Sequence, residues 1–182
     1  MSKNQGKDGE MVVCVIAASM SYHEHGVEFT RPSVTNSADM GADLFLRHPP
    51  DFLNKVLQIA NGTYVPSPEA LKDSKSSGIN ITKTLPAQKT RLDVKTTSGK
   101  LSCGAVNKYI ADIHKHPDCT GHLLVGGSGL TKLGNQKMIQ AQQDFQEYGL
   151  TLAHVTNDGV VRLGESYRPP ALRLDPGPDK TT

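Results

Sequence analysis

Short apolar runs bounded by turn residues alternate along this chain with longer stretches of helical spacing, the pattern of an α/β domain. The apolar stretch Met11–Met20 predicts a buried helix over Glu10–His25 stopped by Gly26, although the β-branched Val12, Val13, Val15 and Ile16 leave a strand open. Val27–Thr30 alternates and ends before Arg31-Pro32, so it reads as a short strand. Two further buried strands follow, one after Asp43 in Leu44-Phe45-Leu46, the other in Leu92-Asp93-Val94-Lys95. Between them, Pro49–Gly62 has a proline start, Phe52, Val56 and Ile59 at helical spacing, and an Asn-Gly stop. Pro66–Lys83, rich in Ser, Lys and Pro, reads as a loop or an arm.

In the second half, Leu101, Ala105, Tyr109 and Ile113 recur every four residues, which predicts a helix over Lys100–His116 ended by Pro117. Gly121–Val125 reads as a buried strand, and the small-residue loop Gly126–Gly129 follows it. That loop fits a phosphate cradle or a plain tight turn equally well. Asn135–Tyr148 is a glutamine-rich helix with Met138, Ala141, Phe145 and Tyr148 as its apolar stripe. Leu150–Thr156 and Val160–Leu163, joined by Asn157-Asp158-Gly159, read as a hairpin by their turn chemistry.

At 182 residues the chain is long enough for one self-sufficient core. The organisation expected is a flexible N-terminus over 1–9, a single domain over 10–165, and a disordered or draped, proline-rich tail over 166–182. Three scattered cysteines with no CxxC spacing argue for neither a structural zinc nor a disulfide framework, which fits a reducing, cytoplasmic setting. Met11–Met20 is too short to span a bilayer, and Asp8 and Glu10 stand where a signal peptide would be basic, so no membrane association is expected. A net charge of +2 makes no case for nucleic acid by itself. Locally, Lys72, Lys75, Lys83, Lys89, Arg91, Lys95 and Lys100 crowd a stretch whose only acids are Asp73 and Asp93. Such a stretch suits a phosphate backbone, or simply solvent.

The candidate chemistry lies in the two central strands. Alternate side chains of a strand share a face, so Asp93 and Lys95 point the same way, and Asp43 opens the neighbouring strand. Two carboxylates and an amine are what a hard divalent cation and an attacking water require for phosphodiester hydrolysis. An Asp-x-Lys pair alone is also common on solvated strands, so the order of elements around it carries the weight.

Asp43 followed by Asp93-x-Lys95 resembles the signature of the PD-(D/E)xK nuclease superfamily, and the surrounding stretches are most similar to its Mrr-like restriction endonuclease branch. Ser37–Leu44 resembles that branch's Gly/Asp-rich lead into the first catalytic strand, and Leu92–Thr96 its second. Gly121–Gly129, Asn135–Tyr148 and Gly149–Val155 are similar to the strand, helix and strand that follow, so the likeness spans most of residues 10–163. The resemblance implies a restriction-endonuclease-like αβ sandwich, with a central mixed sheet flanked by helices, and a Mg²⁺-dependent DNA endonuclease in which Mn²⁺ substitutes. It implies that Asp43, Asp93 and the Val94 carbonyl hold the metal and that Lys95 orients or activates water.

Glu10, Glu28 and Asp39 are accessory candidates, each with a plainer role as a surface or capping group. Lys89, Arg91, Thr96, Thr97, Lys100 and Ser128 are candidate nucleic-acid contacts. A duplex has two strands, so one such site per chain implies a homodimer. The chain departs from the family in the long insertion 47–89 between its two acidic strands, where a short hairpin is usual.

Two other classes stay in view. A non-catalytic nucleic-acid-binding module, or a phage or structural assembly protein with a degenerate nuclease fold, would not need the three residues to meet. Ile113–Pro117 is similar to the His-x-His-Pro of zinc-dependent JAB-type isopeptidases, but on a helix His114 and His116 point apart, and no Ser-x-x-Asp follows.

Overall fold

The computed structural model describes residues 5–32, 42–66 and 87–168. Asp39, the loop Pro66–Lys83 beyond its first residue, and the tail from 169 onward lie outside the described residues. The chain runs α1 (Gln5–His23), β1 (Glu28–Thr30), β2 (Leu44–His48), α2 (Phe52–Asn61) and β3 (Gln88–Lys95). It continues through α3 (Cys103–Ala111), a 3₁₀ turn (Ile113–Lys115), β4 (Gly121–Gly126), α4 (Lys132–Gln146), β5 (Thr151–Val155) and α5 (Asn157–Ser166).

The five strands form one mixed sheet in the order β1-β2-β3-β4-β5. The pairs β1/β2 and β2/β3 are antiparallel, whereas β3/β4 and β4/β5 are parallel. Helices cover both faces, as a sheet with parallel strands requires. Leu44, Leu46, Leu92, Val94, Leu123, Val125 and Val155 point into the core shared with α1, α2 and α5. The alternate residues Leu124 and Leu152 pack under α3 and α4 with Val106, Tyr109, Met138 and Ala141. Enclosing a leucine this completely contributes roughly 1.5–3 kcal/mol, which makes the strand register costly to shift by one residue. Among the described residues no helix is long and apolar enough to cross a membrane.

Strands β2 and β3 pair in register, Leu44 opposite Leu92, although residues 49–87 stand between them. The N–H of Asp43 donates to the Leu92 carbonyl at 3.0 Å, carrying the pairing one residue past the strand. The inserted helix α2 ends as its Asn-Gly stop predicts. Gly62 takes φ +71° and donates to the Ile59 carbonyl at 3.0 Å, while Thr63 donates to Gln58 at 2.9 Å, a Schellman closure.

Several expectations are corrected. Helix α1 begins at Gln5, inside the segment expected to be flexible, and only one of its faces is buried: Val13, Ile16, Ala17 and Met20 are enclosed, while Met11, Val12 and Val15 are exposed. The helix expected over Lys100–His116 is confined to Cys103–Ala111, because Ser102 caps it and accepts from the Ala105 N–H at 3.3 Å. Leu101 instead bridges Leu130. The hairpin expected over 150–163 is a strand followed by a helix. The Thr156 hydroxyl accepts from the Gly159 N–H at 3.2 Å and starts α5, with Asp158 in the first turn facing the positive end of the helix dipole.

Gly126, the last residue of β4, has φ +117°, and an added methyl would meet the backbone carbonyl of Lys95. Gly126→Ala should therefore cost about 2 kcal/mol. A shift in the urea midpoint with an unchanged slope would show it, and an unshifted midpoint would mean that the β4 exit relaxes freely.

Candidate active site

Alternation places Arg91, Asp93 and Lys95 on one face of β3, opposite to the Leu92 and Val94 face that feeds the core of α1, α2 and α5. Asp93 is buried, with 1 % of its side chain exposed, and two cations flank it. Lys95 Nζ is ion-paired to its Oδ1, and Arg91 Nη2 approaches Oδ2 at 3.5 Å. Asp43 stands where β2 begins, and its Oδ2 accepts the Val94 N–H at 2.6 Å. The structure thus brings Asp43, Asp93 and Lys95 to the same end of the two central strands.

Burial pushes the Asp43 carboxyl above the usual range, and the negative charges of Asp93 and Glu10 push it the same way. The Val94 hydrogen bond and Lys95 oppose that rise without cancelling it. A divalent cation bound at these carboxylates would favour the ionised form of Asp43 and so offset that rise.

Helix α1 carries Glu10 to this end of the sheet. It can approach closely because Gly9 faces Thr96, whose methyl an added side chain would meet. Glu10 accepts from Arg31 Nη2 at 3.1 Å. Glu28 is not brought in: it is exposed on β1 and pairs with Arg47, toward the His48 end of β2 and away from Asp43. Glu24, at the end of α1, accepts from Lys55 Nζ at 2.5 Å and from the Tyr167 hydroxyl at 3.1 Å, a packing role.

Of the candidate nucleic-acid contacts, Thr96, Thr97, Lys100 and Ser128 are exposed around the exit of β3. Ser128 spends its N–H on the Gly99 carbonyl at 3.0 Å, as in a tight turn that ties the two loops together. Lys89 sits at the other end of β3, roughly 20 Å along the strand from Lys95. There it is ion-paired to Asp118 at 2.5 Å, and its ammonium stands over the Phe45 ring. Arg91 is wholly enclosed under α3, so it cannot touch a nucleic acid. Of that basic crowding, Lys72, Lys75 and Lys83 lie outside the described residues, while Lys89 stands at a solvated strand end and Arg91 is a buried charge.

Asn157 has a place at this end that its sequence, read as a turn, did not suggest. Its Nδ2 donates to the Thr97 carbonyl and its N–H to the Gly127 carbonyl, both at 2.8 Å, so the start of α5 pins the loops after β3 and β4. These loops, with Val12, Val13 and Lys95, border a cleft of about 490 Å³.

The histidines do not form a second centre. His114 is exposed and His116 is buried against Phe45, with ring centroids 5.3 Å apart. Among the described residues no three His, Cys, Asp or Glu side chains gather as a metal-holding group. The donors at hand are the Asp43 and Asp93 carboxylates and the backbone beside them, an all-oxygen set of the kind Mg²⁺ accepts while keeping several waters.

Compared with protein-family models, with curated proteins and with solved structures, the chain matches none.

Proposed function

We propose that the protein is a metal-dependent DNA endonuclease of the PD-(D/E)xK type, most like its Mrr-like branch, with a restriction-endonuclease-like arrangement of the sheet. The observation that supports this reading is the meeting of Asp43, Asp93 and Lys95 at one end of β2 and β3, although the insertion separates the two strands in sequence. Asp43, Asp93 and the Val94 carbonyl would hold Mg²⁺, which when bound supplies positive charge to the phosphate and lowers the pKa of water.

The chain's own residues do the rest. Lys95, partly exposed, turns its ammonium from Asp93 to the attacking water and orients it. Glu10 adds a third carboxylate within electrostatic reach of Asp43. Thr96, Thr97, Lys100 and Ser128 line the approach, where hydroxyls and an ammonium suit phosphate oxygens. Cutting both strands of a duplex calls for two such chains, hence a homodimer.

The test is incubation of the protein with plasmid, branched and single-stranded DNA in Mg²⁺, Mn²⁺ or EDTA, with Lys95→Ala alongside. Cutting that requires metal and falls about a hundredfold in Lys95→Ala is expected. Binding without cutting on every substrate would instead favour a non-catalytic nucleic-acid-binding module.

A further inference from the structure

We propose that Arg91 is a positioning residue for the site: from behind β3 it fixes the Asp93 carboxylate so that Oδ1 faces the opening and Oδ2 stays turned inward. The proposal rests on the reading of Asp43 and Asp93 as metal ligands.

Arg91 is 0 % exposed. Its Nη2 lies 3.5 Å from Asp93 Oδ2 and 3.4 Å from the Tyr109 carbonyl, and its guanidinium carbon stands 5.2 Å from the centre of the Tyr109 ring. Nε and Nη1 are buried and, among the described residues, have no hydrogen-bond partner. A buried cation with two orphaned donors costs stability. Methionine would fill much of the same space without that cost, so what Arg91 contributes lies in its charge and its fork.

Asp93 has two cationic partners of different kinds. Lys95 is 28 % exposed at the open end of the strand and can leave. Arg91 is enclosed and cannot. While Arg91 holds Oδ2, the oxygen that Lys95 vacates is Oδ1, on the strand position that pairs across from Asp43. Without Arg91, Lys95 is free to take both oxygens and close the carboxylate to an incoming cation. Supporting groups of this sort, one bond removed from a metal, orient the ligands that hold it.

The test is Mn²⁺ binding by calorimetry, with Mn²⁺ alone as probe and no DNA, on wild type, Arg91→Met, Arg91→Lys, Asp93→Asn and the double variant Arg91→Met/Asp93→Asn, each also melted. Arg91→Met should weaken Mn²⁺ binding about 10- to 100-fold, and Arg91→Lys should recover part of the loss. In the Asp93→Asn background Arg91→Met should change binding no further, because its effect runs through Asp93. The Tm of Arg91→Met should stay within a few degrees of wild type.

Wild-type affinity in Arg91→Met, or a loss that adds in full on Asp93→Asn, would overturn the proposal. So would a large drop in Tm with no recovery by lysine. Should Arg91→Met fail to fold, the same cycle run with Arg91→Lys decides. A wild type that takes up no Mn²⁺ sinks the metal-site reading and this proposal together, whereas wild-type uptake with undiminished Arg91→Met binding sinks this proposal alone.

Discussion

Asp43→Asn is expected to lower metal-dependent cleavage about a thousandfold, at the upper end of what one preorganised electrostatic group contributes, while leaving the fold at neutral pH at least as stable as wild type. The two halves have one cause. Asp43 is half-buried among like charges, and burial, then Asp93 and Glu10, hold its folded pKa above the unfolded value. A carboxyl raised in this way binds its proton more tightly in the folded state. Its favourable contribution is therefore fully present below the unfolded pKa and is lost as pH rises through the folded one. At pH 7 the ionised side chain opposes folding, and asparagine removes that charge.

Asparagine also keeps a carbonyl oxygen to accept the Val94 N–H, so the β2 entrance is not left with an orphaned amide. Melts at pH 7 with and without Mn²⁺ check both halves. Mn²⁺ should raise the wild-type Tm and leave that of Asp43→Asn unmoved, since a ligand stabilises only the form that binds it. A variant that melts well below wild type would make Asp43 a structural residue, and one that still cuts would remove it from the site.

The architecture was largely legible in the sequence because periodicity encodes it. Leu44 and Leu46 bracket Phe45, and Leu92 and Val94 interleave with Arg91, Asp93 and Lys95, so the face carrying the charged residues follows from alternation alone. The insertion did not obscure the pairing of β2 with β3, because the energy of a buried sheet register outweighs the slow logarithmic growth of loop entropy with length.

Helix α5 was not legible. Asn157-Asp158-Gly159 carries the composition of a turn, and the same residues serve as the first turn of a helix capped by Thr156. What decides between them is tertiary. Gly159 lies against Ala60 and Val155, where an added Cβ would come within 3.1 Å of the Ala60 carbonyl, and Arg162 Nη1 donates to that carbonyl at 2.7 Å. Burial at the site was equally hidden. Arg91 has the same spacing and charge as a solvent-facing strand cation, yet it is fully enclosed, with Tyr109 seated over it. Lys89, two residues earlier on the same face, stays partly exposed, paired with Asp118.

Beneath the same helix, His122 should make the protein acid-sensitive: about 3 kcal/mol of stability is expected to disappear between pH 6.5 and pH 4. His122 lies on β4 directly beside Arg91 in the parallel register and is wholly enclosed. Burial, then the charges of Arg91 and His116, pushes its pKa down to about 4. Neither ring nitrogen makes a hydrogen bond of good geometry, and the weaker pulls of the Cys119 backbone and Asp118, which favour the charged ring, are outweighed.

For a base whose folded pKa is depressed, the unfolded chain binds the extra proton first. Stability is complete above about pH 6.5 and falls with acid until the folded ring titrates near pH 4. A span of about 2.5 pH units at 1.36 kcal/mol each gives the loss stated. His48 and His154 are also lowered by burial and add to the slope, whereas Asp43 acts in the opposite sense. The difference between wild type and His122→Leu therefore isolates His122. Leucine fills the site without two orphaned nitrogens, so the variant should match wild type near pH 7 and surpass it progressively as pH falls. Urea midpoints at half-unit steps from pH 7.5 to 4 would show the two curves diverging below pH 6.5. Parallel curves would mean that water reaches the imidazole and that the space beneath α3 is not dry.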